Sequence, residues 1–241
     1  MFALSWPSDA LVIPSHSPAQ AVQLLTQFYT QHGATPLERL LVRHRAAVSP
    51  FHRIAAAIPP GSGALDLGCG RGVLLGYLAL LGRIRRGAGC DPSARAIALA
   101  QRVAPEVARC SAVDLAFEQA DLADYEPETP FDVVTLIDVM HHLPRRMRPL
   151  SIAKAASALR PGGLLVYKDM ARAPFWKRLA NRLHDLALAK QWIHEEPLEN
   201  VKRWAAEAGL TLERQSSVHM LWYSHELCVF RKTAPPGPPA S

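Results

Sequence analysis

The sequence predicts an α/β fold built around a largely parallel sheet, and three observations carry that expectation. From Ala64 onward, short apolar runs alternate with stretches of helical periodicity. The first of these runs ends in "ALDLGCGRG" (64–72), a strand-then-glycine-turn pattern that feeds a helix. The last two runs lie close enough to pair as an antiparallel hairpin. With 241 residues, 49% of them apolar, the chain can bury one full core.

Residues 1–15 hold Pro and Ser without periodicity and read as a lightly ordered lead. Ala21, Leu24, Leu25 and Phe28 then share one helical face, and after a break at Gly33 a second helix starts at Pro36 and carries Leu40, Leu41 and His44. A third is expected from Pro50 to Ile58, where "PPGSG" stops it. Residues 1–48 thus form a lead and helical cap on a domain spanning 49–233. Strands are expected near 63–67, 86–90, 116–119, 132–138 and 163–168, with helices near 71–82, 92–104 and 148–159. "PLENVKRWAAEAGL" (197–210) adds a helix with Leu198, Val201, Trp204 and Ala208 on one face and Gly209 as its stop. Strands near 211–219 and 225–232 follow. The tail "APPGPPAS" (234–241) should be disordered, because its prolines neither extend a ladder nor build a helix.

No run approaches the roughly 18 apolar residues that a spanning helix needs, and the N-terminus lacks a basic stretch followed by an apolar one, so a soluble cytoplasmic protein is expected. Cys69, Cys90, Cys110 and Cys228 are widely spaced, without the CxxC or CxxH pairs of a zinc or redox site; they read as reduced core thiols, and no metal is expected. The formal charge of +6 permits nucleic acid, an acidic carrier protein or a membrane surface as partner without choosing among them.

In the glycine loop, Gly68, Gly70 and Gly72 alternate, and Val73 stands where the dinucleotide fingerprint GxGxxG needs its third glycine. The loop departs from the NAD form. Asp66, two residues before Gly68, would repel phosphate but suits a cationic group. Asp91 in "GAGCDPS" closes the second apolar run, where a carboxylate at a strand's carboxyl end can bind ribose hydroxyls. Together these residues fit a cationic nucleoside.

At this point the sequence resembles the class I S-adenosylmethionine-dependent methyltransferases, in the small-molecule group that includes quinone-biosynthesis enzymes. The resemblance covers roughly residues 50–232 and rests on "LDLGCGRG", "GCDPS", "ADLADY", "FDVVTLIDVMHHL" (131–143) and "ALRPGGLLVYKDM" (158–170), in that order. It implies a Rossmann-like seven-stranded sheet, its last strand inserted antiparallel, with S-adenosyl-L-methionine across the strands' carboxyl ends and S-adenosyl-L-homocysteine as product. It also implies that Asp66, Gly68 and Gly70, with Cys69 between them, face the methionine moiety. Asp91, followed by Pro92, meets the ribose, Asp121 with Leu122 flanks the adenine, and Asp138 closes the pocket floor. Two of these positions have other readings: "DLADYEPE" is also simply an acidic loop, and Asp138 suits a helix cap.

Methyl transfer from a sulfonium is a direct displacement, so the protein mainly aligns the reactants and excludes water. A phenol or carbon acid as acceptor also needs a base. His141 and His142, after the fourth strand, titrate in the right range, although one of them can serve simply to orient the loop. Tyr167, Lys168 and Asp169 end the fifth strand; alternation puts Tyr167 and Asp169 on one face and Lys168 on the other, for acceptor positioning or for surface salt bridges. The [DNS]PP[YF] signature of enzymes that methylate adenine or glutamine nitrogen is replaced by "DVMH".

Residues 171–196 form an insertion whose Phe175, Trp176, Leu179, Leu183 and Leu186 make an apolar stripe. It reads as a helix packed on its own domain, as a lid closing over an apolar substrate with Phe28 and Tyr29, or as a membrane-surface helix. "VYKDM", "NRLHDLALAKQWI" and "YSHELCVFRK" are similar to methyltransferases of aryl-polyene pigment clusters, which implies an aromatic acceptor on an acyl carrier protein. Arg83, Arg85, Arg86, Arg145, Arg146 and Arg148 would then meet the carrier's acidic surface, unless they are only solvated helix ends. Three other readings compete: an RNA methyltransferase, against which the lack of an appended RNA-binding module weighs; a non-catalytic cofactor-binding subunit; and an NAD-dependent oxidoreductase.

Overall fold

The computed structural model describes residues 16–40, 42, 49–170, 196–220 and 223–233. The expected lead, the tail and nearly all of the 171–196 insertion, with its apolar stripe, lie outside the described residues.

Seven strands form one sheet: β1 (Ser62–Leu67), β2 (Ile84–Asp91), β3 (Asp114–Gln119), β4 (Phe131–Ile137), β5 (Leu159–Met170), β6 (Leu210–Met220) and β7 (Tyr223–Lys232), in the order β3-β2-β1-β4-β5-β7-β6. The pairs among β1 to β5 are parallel, and β7 runs antiparallel between β5 and β6. The expected seven-stranded sheet with an inserted antiparallel last strand is therefore present. Every residue of β1 is buried, as a central parallel strand covered on both faces requires.

Helices α1 (Pro18–Gln31), α2 (Phe51–Ala57), α3 (Val73–Leu80) and α4 (Ala94–Ser111) contribute to one core, on the sheet face that also carries Ala64, Val133 and Val166. Helices α5 (Arg148–Ala158) and α6 (Leu198–Glu207) pack on the other, with Leu65, Leu136 and Leu165. Residues 36–40, which follow α1, are also helical. Ser17 caps α1 in a reciprocal box with Gln20, which fixes where the helix begins. Among the described residues no helix is long and apolar enough to cross a membrane. The cysteines are free thiols; Cys69, Cys90 and Cys228 are buried.

Two element boundaries differ from expectation for identifiable reasons. The expected 92–104 helix instead runs on through Pro105 to Ser111, because Ala100, Val103, Ala104 and Val107 keep one buried stripe and their packing outweighs the hydrogen bond that Pro105 cannot donate. The expected 71–82 helix begins only at Val73, because Gly72 has a left-handed φ of 75°.

Candidate active site

Parallel strands deliver their carboxyl ends to one edge of the sheet, and there the chemistry-bearing side chains collect. Asp66 is buried on β1 opposite Thr135, whose hydroxyl donates to Asp66 Oδ1 at 2.6 Å. The glycine loop turns over the end of β2, with the N–H groups of Gly68 and Cys69 both donating to the Cys90 carbonyl at 2.9 Å. Asp91 Oδ2 accepts from the Gly70 N–H, and its Oδ1 from the Ser93 N–H, each at 2.9 Å. Asp91 thereby joins the two loops expected to hold the methionine and ribose parts of the cofactor. Pro92 is exposed beside it.

The glycines of this loop have different physical reasons. At Gly72 an added Cβ would lie 2.4 Å from Phe117, so packing alone demands glycine there. At Gly70 (φ 54°) an added Cβ meets nothing within 4 Å: backbone faces open space, as it must where a ligand approaches closely. The carboxylates of Asp66 and Asp91 beside backbone open at Gly70 suit a cationic nucleoside better than a pyrophosphate. Cys69 is buried in the loop, where burial pushes its thiol far above the usual range, so it is a neutral packing group.

Asp121, expected on the adenine side, is exposed, and its Oδ1 accepts from the Ala123 N–H at 3.0 Å, in an Asx turn. Leu122 is buried in the α5/α6 core.

At the mouth of the cleft, Asp138 follows β4 with a left-handed φ of 59°, a strained conformation for a non-glycine residue. Its N–H donates to the Lys168 carbonyl, and Lys168 Nζ donates back to Asp138 Oδ1 at 2.6 Å. Lys168 is 1% exposed while Asp138 is partly exposed, so this is a part-buried ion pair rather than the surface salt bridge considered from sequence. His141, on the 3-10 turn Met140–His142, meets Asp169: Nδ1 lies 2.5 Å from Oδ1, and the His141 backbone N–H donates to Oδ2 at 3.2 Å. Burial opposes charge on His141, but the Asp169 carboxylate outweighs it and holds the imidazole above its ordinary value. His142 is exposed and packs against His141, ring centroids 4.1 Å apart and planes tilted by 48°.

Tyr167 is buried on β5, near enough for the Asp169 carboxylate to act on its hydroxyl. It lies in the core with Leu136, Cys228 and Phe230, and burial pushes its hydroxyl well above the usual phenol value. Asp138, His141 and Asp169 present ligand atoms within 4.8 Å of one another, the spacing of a metal site. Lys168 already neutralises Asp138, however, and His141 and Asp169 are bound to each other.

The six arginines considered for carrier docking separate. Arg83, half-buried, immediately precedes β2, and Arg85 and Arg86 sit near its amino end, where Arg85 pairs with Asp132 and Arg86 binds Thr129 and the Pro130 carbonyl. Arg148 is buried against Glu196. Arg145 and Arg146 alone are exposed on the mouth side, on the turn after His142.

Sequence reasoning missed one part of the site, contributed by the cap. Glu38 is buried; its Oε2 accepts from the Thr35 N–H and hydroxyl at 2.8 and 2.9 Å, and its Oε1 from Arg71 Nη2 and Arg95 Nε at 3.3 and 3.1 Å. Burial would raise the Glu38 carboxyl, but these donors prevail and hold it at about 2. The Tyr29 hydroxyl donates to the Arg71 carbonyl. A signal existed in "TPLE" (35–38), the Thr-x-x-Glu spacing of a capping box.

A family model described as a methyltransferase domain matches residues 41–215. The chain belongs to this family. The methyltransferase domain is 29% identical over 164 residues to a ubiquinone biosynthesis O-methyltransferase of Bradyrhizobium sp. (strain ORS 278), covering 67% of this chain and 60% of that one. It is 32% identical over 166 residues to the protein of the same name from Alkalilimnicola ehrlichii, covering 63% and 62%. The chain thus spans about three fifths of the length of these relatives. In fold it is similar to magnesium protoporphyrin IX methyltransferase (ChlM) from Synechocystis PCC 6803 with bound SAH, with a TM-score of 0.63 at 19% identity over 90% of this chain and 95% of that one. The N-methyltransferase NodS from Bradyrhizobium japonicum WM9 gives 0.57 at 22% identity over 79% and 96%.

Proposed function

We propose that this chain is an S-adenosylmethionine-dependent methyltransferase that methylates a hydroxyl group of a small aromatic molecule, with His141 as general base. The observation that carries the reading is the His141–Asp169 pair, beside a cleft whose carboxylates suit a cationic nucleoside. The names of the O-methyltransferase relatives support the choice of oxygen.

Asp66 and the glycine loop would hold the methionine part of the donor, Asp91 the ribose, and Asp121 with Leu122 the adenine side. Bound there, the donor supplies a methyl on a sulfonium sulfur, which an acceptor oxygen displaces while the bonding pair stays on sulfur. Asp169 accepts the His141 Nδ1–H, which leaves Nε2 of the neutral ring with a lone pair for the acceptor's hydroxyl proton. As the proton arrives, the Asp169 carboxylate stabilises the imidazolium. His142, exposed against the same ring, offers the proton a route to solvent.

The finer reading is an aryl acceptor presented on an acyl carrier protein, as in aryl-polyene pigment assembly. Arg145 and Arg146 support it, since they are exposed on the turn that follows the dyad. The test is S-adenosylhomocysteine release from purified chain given donor with catechols, phenols and hydroxyaryl acids, free and carrier-loaded, alongside RNA. Turnover of a phenolic acceptor that His141→Ala abolishes is expected. Methylation of RNA or of an amine instead, or turnover indifferent to His141, overturns the reading.

A further inference from the structure

Two loops must stay at a fixed separation for one nucleoside to touch both. One is the glycine loop after β1, which carries Arg71. The other follows β2 and leads from Asp91 into α4, whose second residue is Arg95. Inside the cleft they are joined by the Gly70 N–H to Asp91 hydrogen bond. That contact uses a carboxylate oxygen that ribose hydroxyls would also seek, so it would be shared with the ligand rather than serve the loops alone.

Outside the cleft a second junction exists. One oxygen of Glu38 receives both Arg71 and Arg95, while its other oxygen is fixed by Thr35. Tyr29, from the preceding helix, fastens the Arg71 carbonyl. We infer that Glu38 is a positioning residue for the cofactor: through Arg71 and Arg95 it holds the methionine-side and ribose-side loops at the separation the donor requires, from a cap segment that itself contributes no reacting group. The inference rests on the donor reading above. Its chemistry is specific to a carboxylate, because two guanidinium groups converging on one oxygen repel each other without its charge. Glutamine keeps the shape but not the charge.

The test is calorimetric titration of the full chain with S-adenosylhomocysteine, for the wild type, Glu38→Gln, Arg95→Gln and the double variant, each with a thermal melt. Either single change is expected to raise Kd about 5- to 10-fold, the scale of a charge-assisted hydrogen bond. At saturating donor kcat should stay within about twofold, the signature of a binding contribution rather than a chemical one. The double variant should bind no worse than Glu38→Gln, since both changes break one junction. Arg95 is 71% exposed and supports no core, so Arg95→Gln decides the matter alone if Glu38→Gln fails to fold. Wild-type Kd in Arg95→Gln, or a lowered melting temperature with Kd unchanged, overturns the inference. Absence of binding by the wild type overturns the donor reading and this inference together, a result distinct from the other two.

Discussion

His141 and Asp169 are joined at two points, one carboxylate oxygen lying 2.5 Å from the ring Nδ1 and the other accepting from the backbone N–H of the same residue at 3.2 Å. This double grip fixes the ring's orientation and its tautomer. Asp169→Asn should lower kcat by about 10²-fold or more, as expected for a disabled general base, with little change in donor affinity. Because Asp169 holds His141 above its ordinary value, the acid limb of the pH–rate profile should also move to lower pH in the variant. Steady-state kinetics across pH checks both, and an unmoved limb would assign the titration to another group.

The Asp91 carboxylate bridges Gly70 and Ser93 without entering the core. Asp91→Ala should therefore weaken S-adenosylhomocysteine binding about tenfold or more while changing the melting temperature little. Titration calorimetry with a melting curve reads both quantities, and intact affinity would show that the ribose sits elsewhere.

Gly70 and Gly72 should respond differently to alanine although both have positive φ. Gly72→Ala drives a methyl into Phe117 and should cost about 1–3 kcal/mol on top of the left-handed backbone penalty of about 1 kcal/mol. Gly70→Ala incurs the backbone penalty alone but puts its methyl into the open space where the donor is proposed to sit. Denaturant unfolding should single out Gly72→Ala, and donor binding should single out Gly70→Ala.

Lys168 is almost wholly buried, and Asp138 is the carboxylate that neutralises it. Asp138→Ala leaves that ammonium without its counter-charge and should cost about 3–5 kcal/mol, read from a urea midpoint at constant m-value. A loss below about 1 kcal/mol would show that water or another group takes over.

Two groups should give the stability profile opposite slopes. The Glu38 carboxyl, held at about 2 against an ordinary value of 4.5, contributes stability that is complete above 4.5 and lost as pH falls through that interval. His141, held above its ordinary value of 6.5, contributes stability that is complete below 6.5 and lost as pH rises through its raised value. Glu38→Gln should flatten the acid side only, and Asp169→Asn the neutral side only, in urea titrations between pH 2 and 9.

The fold and the placement of the glycine loop beside Asp66 and Asp91 were legible because both are written in local order. A strand, a glycine turn and a carboxylate at each strand end are features of consecutive residues. The mouth was less legible. Alternation correctly separated Lys168 from Asp169, yet no local pattern says that Lys168 reaches back across thirty positions to Asp138, or that Asp169 grips the His141 backbone. Tyr167, placed beside them by sequence, belongs to the core because α5 and α6 cover its side of β5. The arginines looked like one basic surface because sequence does not reveal which end of a strand each residue occupies. Glu38 was missed for a related reason: its capping box accounts for one oxygen, and nothing nearby in sequence points to Arg71 and Arg95.

Lys168 and Asp169 lie on β5, and β5 is flanked on one side by β4 and on the other by β7, the last strand in chain order. While a ribosome is still making the chain, β5 therefore waits with an open edge until Leu227–Phe230 emerge to pair with Leu165–Lys168. β1 to β4, whose ends carry Asp66, Asp91 and Asp138, all precede β7 in the chain. The dyad proposed for the proton transfer therefore receives its last neighbouring strand later in synthesis than the loops proposed to hold the nucleoside.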